Sequence, residues 1–75
     1  MRDGAREVLE IVNDSNFTAD EKMRKICGMD RTFLEWDSPQ WARLLSVTPQ
    51  AIRSTTFWTI DRKQATAAWR EIDRE

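Results

Sequence analysis

The side chains that could take part in catalysis are carboxylates, hydroxyls and a single thiol. Histidine, the usual general base and metal ligand, is absent from all 75 residues. Asp20 and Glu21 are adjacent, but they lie at a predicted helix start, where capping and the helix dipole account for two carboxylates. Cys27 follows Ile26 on an apolar helix face, which favours a buried, inert thiol. The chain is therefore not predicted to be an enzyme, and no metal or other cofactor is expected.

Length and composition predict one small helical domain over residues 1–75. The single cysteine leaves no disulfide framework, which is typical of a reducing, cytoplasmic setting. No apolar run approaches the roughly 20 residues that span a bilayer, so a membrane is not an expected partner. Charged helix-like segments at both ends are compatible with a piece of a longer protein.

Four tryptophans raise the question of whether exposed rings stack on single-stranded bases. Trp41 and Trp69 fall on helix faces that are predicted to point inward, and Trp36 and Trp58 lie beside apolar neighbours. Packing in the core is therefore the favoured interpretation, and it would help so small a domain to bury enough apolar surface.

The first half of the chain contains two predicted helices. The first covers residues 3–12, with Asp3 as its cap and an apolar face made by Ala5, Val8, Leu9 and Val12, with Ile11 beside it. The second begins with a capping box at Thr18 and Glu21 and is expected to end at Gly28. Its inward residues are Met23, Ile26 and Cys27. Residues 29–37 are compatible with either a short helix or an extended segment.

The last predicted helix covers residues 62–73, and either Thr59 or Asp61 serves as its cap. Its apolar stripe is Ala65, Ala68, Trp69 and Ile72. Phe57 and Trp58 are expected to fold back over the preceding helix, which loses definition near Thr55.

Two helix-start signals, Ser38-Pro39 and Thr48-Pro49, stand ten residues apart. Serine and threonine are good N-caps, and proline suits the first helical turn. The interval leaves room for about two turns of helix and a connection of roughly three residues, which is the spacing of a helix-turn-helix.

This stretch resembles the helix-turn-helix of bacterial and phage DNA-binding regulators. The family pattern of alanine, glycine, a β-branched residue, a helix-capping hydroxyl and a buried aliphatic is filled here by Ala42, Ser46, Val47, Thr48 and Ile52. Ser46 departs from the pattern, because glycine accepts a positive φ more readily. The predicted helices and this resemblance together indicate an all-α fold. We expect a small bundle of four to five short helices that contains the helix-turn-helix at residues 38–58. The implied function is sequence-specific binding of double-stranded DNA, in transcription regulation or as the targeting domain of a larger protein.

In this family the second helix of the motif enters the major groove. With Ile52 buried, the expected base contacts are Thr48, Gln50, Ala51, Arg53 and Ser54. Glutamine can bind adenine and arginine can bind guanine through paired hydrogen bonds, whereas Ala51 is either a methyl contact or a packing residue. The expected phosphate contacts are Ser38, Gln40, Arg43, Arg62 and Lys63.

The charge distribution supports this segment as the one that contacts phosphate. The whole chain has a net charge of −1, but residues 38–64 carry four cations against Asp61 alone. Because four cations are few, a single domain is expected to bind DNA weakly. A homodimer partner or a neighbouring domain would add affinity. The alternative is a helical protein-interaction module that keeps the fold without binding DNA, which the net acidity and Ser46 favour.

Overall fold

Every regular element in the computed structural model, which describes residues 4–64, is helical. The elements in chain order are α1 (Gly4–Val12), α2 (Ala19–Met29), a 3₁₀ helix (Arg31–Glu35), α3 (Ser38–Leu45), α4 (Pro49–Arg53) and α5 (residues 56–64, with a π-helical turn at Phe57–Asp61). The predicted all-α bundle of short helices is thus confirmed. None of these described helices has the length and hydrophobicity needed to cross a bilayer. The predicted cap Asp3 and the stripe of Ala65, Ala68, Trp69 and Ile72 lie outside the described residues.

Helix α1 packs on the rest of the domain through a face that is shifted from the predicted one and shares Val8 and Val12 with it. Val8, Ile11 and Val12 are partly buried against the core, whereas Ala5 is exposed and Leu9 is 54% exposed. Two overlapping stripes satisfy helical spacing here, and the structure buries the one that contains Ile11. Lys22 Nζ donates a 2.7 Å hydrogen bond to the carbonyl oxygen of Val12, which joins the end of α1 to α2.

Helix α2 begins with the predicted capping box. The amide of Thr18 donates to Glu21 Oε1 at 2.8 Å, and the amide of Glu21 donates to Thr18 Oγ1 at 3.2 Å. The predicted stop at Gly28 is wrong, because α2 continues through Met29 and Gly28 has no positive φ. Asp30 ends the helix instead, since its carboxylate accepts hydrogen bonds from the Thr32 hydroxyl and amide and so caps the following 3₁₀ helix. These bonds lower the pKa of Asp30.

The core centres on Trp41, which is fully buried. Its ring lies 5.6 Å from the ring centroids of both Phe33 and Trp36, and these two rings are 4.6 Å apart. Residues 29–37 therefore form a helical connection whose aromatic side chains cover α3. The remaining core residues come from α2, the 3₁₀ helix, α3, α4 and α5: Met23, Ile26, Cys27, Leu34, Ala42, Leu45, Ile52 and Phe57. As predicted, Met23, Ile26 and Cys27 face inward.

Cys27 lies in this core as an unpaired thiol. Its side chain is 3% exposed, and burial raises its pKa to about 12, although the charge of Arg62 acts in the opposite direction. A thiol with so high a pKa is almost entirely protonated near neutral pH, and the thiolate is the nucleophilic form. Cys27 therefore packs as a small apolar side chain.

Helix α5 begins earlier than predicted. Residue 56 is already helical, and the π-helical turn Phe57–Asp61 leads into residues 62–64, so neither Thr59 nor Asp61 is an N-cap. Thr55 makes the junction instead: its hydroxyl donates to the Ile52 carbonyl at 2.8 Å and accepts from the Trp58 amide at 3.1 Å. Because one hydroxyl serves both helices, α4 ends and α5 starts within three residues. As predicted, Phe57 is buried and Trp58 is half-buried.

Candidate nucleic-acid interface

Helix α3 starts one residue earlier than its proline suggests. Asp37, not Ser38, is the N-cap: its carboxylate accepts from the Gln40 amide at 3.0 Å, and the Asp37 amide donates to Gln40 Oε1 at 2.9 Å. This is a second capping box, and an Asp-x-x-Gln pattern could have revealed it in the sequence. Ser38 is consequently a buried residue of the first turn, 6% exposed.

The turn between α3 and α4 contains one residue in the left-handed backbone conformation. Ser46 adopts φ 60° and ψ 44°, the only positive φ of a non-glycine residue among the described residues. The amides of Ser46 and Val47 both donate to the carbonyl of Ala42, as in a Schellman-type helix end. The left-handed residue reverses the chain immediately after α3, so that α4 packs against it.

Replacing Ser46 with glycine should stabilise the domain. The left-handed region costs a residue with a Cβ roughly 1 kcal/mol, and glycine avoids that strain at the expense of a more flexible unfolded chain. We expect Ser46→Gly to raise the free energy of unfolding in urea by about 0.5 kcal/mol. Ser54→Gly is the matched control, since Ser54 has φ −89° and should gain nothing. A Ser46→Gly domain less stable than the parent would contradict this description of the turn.

Helix α4 is short and is anchored by one residue. Thr48 is its N-cap, as predicted, and accepts from the Ala51 amide at 3.1 Å. Ile52 is fully buried and fixes the helix against the core. Ser54 follows as the C-cap, so the helix offers little more than one turn of backbone to a partner.

All five residues that were predicted to contact bases are exposed: Thr48, Gln50, Ala51, Arg53 and Ser54. The exposure of Ala51 agrees with a methyl contact and not with packing. The hydroxyls of Thr48 and Ser54 have local partners, since Thr48 caps α4 and Ser54 Oγ donates to the Gln50 carbonyl at 2.6 Å. Gln50 and Arg53 therefore hold the largest capacity for new hydrogen bonds on this edge of α4.

Arg53 is positioned by the preceding helix. Its Nη1 donates a 3.1 Å hydrogen bond to Ser38 Oγ, at the first turn of α3. A guanidinium has five N–H donors, so one such bond holds the side chain in place and leaves further donors for a ligand. The buried Ser38 does not fit the predicted phosphate contact. Its hydroxyl orients Arg53 instead, a role that the sequence analysis missed.

The other predicted phosphate contacts divide into two groups. Gln40, Arg43 and Lys63 are exposed. No ion pair or hydrogen bond engages the side chains of Arg43 and Lys63 within residues 4–64. Gln40 uses its carbonyl oxygen in the capping box, so its amide N–H groups can still donate.

Arg62 belongs to the second group, because the fold already uses its guanidinium. Nε donates to the Leu34 carbonyl at 3.0 Å and Nη2 to the Trp36 carbonyl at 3.1 Å, while the Trp58 ring lies 4.2 Å from Cζ. These contacts join α5 to the end of the 3₁₀ helix. Arg62 is therefore a structural residue, and its assignment as a phosphate contact is corrected on this ground.

Asp61, the only acidic residue of residues 38–64, is paired with a cation from outside that segment. Arg24, on α2, pairs with Asp61 and with Asp20, the latter at 2.8 Å. Hydrogen bonds to Asp20 and Asp61 raise the pKa of Arg24. Since Asp61 is neutralised from outside the segment, the positive charges of Arg43, Arg53 and Lys63 have no acidic counterpart within residues 38–64.

Comparison with protein-family models, curated proteins and solved structures finds no match to this chain. A function must therefore be inferred from the chain's own geometry and charge.

Proposed function

We propose that the chain binds double-stranded DNA in a sequence-specific manner through α3, the Ser46 turn and α4. The observation that carries this proposal is the exposed edge of α4. Gln50 and Arg53 are both exposed to solvent there. The buried Ile52 fixes the orientation of α4, and the hydrogen bond to Ser38 holds the Arg53 side chain. Glutamine and arginine are side chains that bind adenine and guanine edges in the major groove.

In the proposed complex, α4 enters the major groove and α3 lies across the sugar-phosphate backbone. Gln50 and Arg53 contact base edges, and the Ala51 methyl group is available for thymine. Arg43, Lys63 and the amide of Gln40 neutralise or bind phosphates. This arrangement suits a bacterial transcription regulator or a DNA-targeting domain of a longer cytoplasmic protein. A homodimer partner or a neighbouring domain would add the phosphate contacts that a lone copy lacks.

A salt titration on a duplex of random sequence tests the electrostatic part of this proposal. With Arg43 and Lys63 as the phosphate-facing cations, log K should fall with log salt with a slope of about −2. Arg43→Ala and Lys63→Ala should each reduce the slope by about one, whereas Arg6→Ala on α1 serves as the control and should leave it unchanged. Fluorescence anisotropy of a labelled duplex measures all four proteins.

The second candidate function is a helical protein-interaction module. Two observations favour it: the short α4, which presents few side chains, and the structural engagement of Arg62, which removes one cation from the surface. No duplex binding at low salt by either the parent or a tandem dimer would support this module and contradict the DNA proposal.

A further inference from the structure

An open apolar groove runs beside α1 on a part of the domain that the proposed DNA interface does not use. It has a volume of about 300 Å³ and is lined by three apolar and three acidic side chains: Ile11, Phe17, Met29, Glu7, Glu10 and Asp14. We call it the acid-rimmed groove. Its apolar residues come from α1, the following turn and the last residue of α2, so two helices and their connection shape it.

The apolar floor of the groove remains partly open to solvent. Met29 is 39% exposed, and Ile11 and Phe17 are half-buried. The Phe17 ring already holds one cation, since Lys25 Nζ lies 4.8 Å from its centroid. An aromatic ring next to carboxylates attracts positively charged groups through both its quadrupole and their charge.

The rim of the groove carries three carboxylates, against the one cation, Lys25, that lies over the Phe17 ring. Glu7 and Glu10 are exposed, and neither makes an ion pair within residues 4–64. Asp14 accepts a hydrogen bond from the Asn16 amide at 2.9 Å, which is a turn contact and leaves its charge in place. Glu7 and Glu10 are three residues apart on α1 and are therefore neighbours on its surface, and Asp14 follows in the turn after the helix.

Like charges at this spacing repel each other, and a matching set of cations would relieve the repulsion. We propose that the acid-rimmed groove docks an amphipathic helix of a partner protein. The docked helix presents leucine-sized side chains to Ile11, Phe17 and Met29. Its lysine or arginine residues, spaced three and four apart, pair with the carboxylates of the rim.

Charge and shape favour a cationic partner helix in the acid-rimmed groove over nucleic acid and over a second copy of the chain. Phosphate would be repelled by three carboxylates. A second concave site, lined by Trp36, Gln40, Arg43 and Leu44, carries a single cation, and two concave surfaces do not fit into each other. A convex helix with several cations satisfies both the shape and the charge of the acid-rimmed groove. This proposal is independent of DNA binding, because it uses α1 and the end of α2.

A designed peptide tests the proposal. The probe is a 15-residue helical peptide with leucines at three- and four-residue spacing and lysines in flanking rows, and a scrambled peptide of the same composition is its control. Calorimetry with the full chain should show binding of the helical peptide at least tenfold tighter than that of the scrambled one. The side-chain NMR signals of Ile11 and Met29 should shift during the titration.

Three variants decide whether the acid-rimmed groove is the site. The double variant Glu7→Lys/Glu10→Lys should weaken peptide binding at least tenfold, and Met29→Gln should weaken it about threefold. Glu35→Lys changes one exposed charge in the 3₁₀ helix and should alter the affinity less than twofold. Circular dichroism confirms that each variant is folded, and none should lose duplex binding.

Equal binding of both peptides, or an equal loss in Glu35→Lys, would overturn the proposal, because either result means that net charge alone attracts the peptide. Concentration-dependent self-association of the chain that Glu7→Lys/Glu10→Lys abolishes would also overturn it, in favour of a second copy as the occupant.

Discussion

Trp41→Ala should remove a large part of the domain's stability at 25 °C. Trp41 is fully buried and contacts the rings of Phe33 and Trp36, so its truncation opens a large cavity at the centre of the core. Substitutions of this kind cost about 3–5 kcal/mol, and a domain of this length is stable by roughly 4–11 kcal/mol in total. Urea denaturation followed by far-ultraviolet circular dichroism measures the loss.

Two further variants separate the size of the Trp41 side chain from its polarity. The indole Nε1 of Trp41 is buried without a hydrogen-bond partner among the described residues, and such a group costs about 1–3 kcal/mol. Trp41→Phe removes that N–H along with part of the ring, so the two effects oppose each other and the net loss should stay below about 1.5 kcal/mol. Leu9→Ala, at an exposed site on α1, should change stability by under about 0.5 kcal/mol. Equal losses in Trp41→Ala and Leu9→Ala would refute a core centred on Trp41.

The second large effect is expected at Arg53. Once a preferred site has been selected from random duplexes, Arg53→Ala should lose about 1–3 kcal/mol of affinity for it, a factor of roughly five to 150. The variant should also relax the preference at one base pair. The physical reason is the loss of a paired hydrogen bond to a guanine edge. Anisotropy with the preferred duplex and its single-base variants measures both quantities.

Arg53→Lys distinguishes base contact from charge. Lysine keeps the positive charge but lacks the planar fork of donors, so the salt dependence should persist while discrimination at that base pair falls. The unfolding free energy of each variant controls for the lost hydrogen bond to Ser38. Equal losses of affinity on every DNA sequence would show that Arg53 contacts phosphate, and the assignment of base contact would fail.

Local signals in the sequence predicted those features that depend on neighbours within four residues. The capping box of Thr18 and Glu21 and the cap at Thr48 are of this kind, because the same few residues supply both the signal and the partners. The left-handed Ser46 is different, because only the family resemblance placed a turn there and serine departed from the expected glycine. Local signals also compete. Asp37 and Ser38 are both good N-caps, and the side chain of Gln40 favours Asp37 by completing a capping box.

Contacts between distant parts of the chain could not be predicted in this way. Arg62 reaches the Leu34 carbonyl across 28 residues, and only the packing of α5 against the 3₁₀ helix brings them together. The hydrogen bond from Arg53 to Ser38 likewise depends on the angle between α3 and α4. The exposure of Leu9 also depends on a contact between separate elements, because the packing of α1 against α2 determines which of its two apolar stripes is buried.

Mapping a duplex onto the domain by amide NMR tests the central claim most directly. With isotopically labelled protein and a duplex at low salt, the account predicts shifts concentrated at residues 46–54 and at Arg43 and Lys63, with α1 unaffected. Shifts confined to α1 and α2, or no shifts at all at millimolar duplex, would contradict the claim that the outer edge of α4 is the surface that binds DNA.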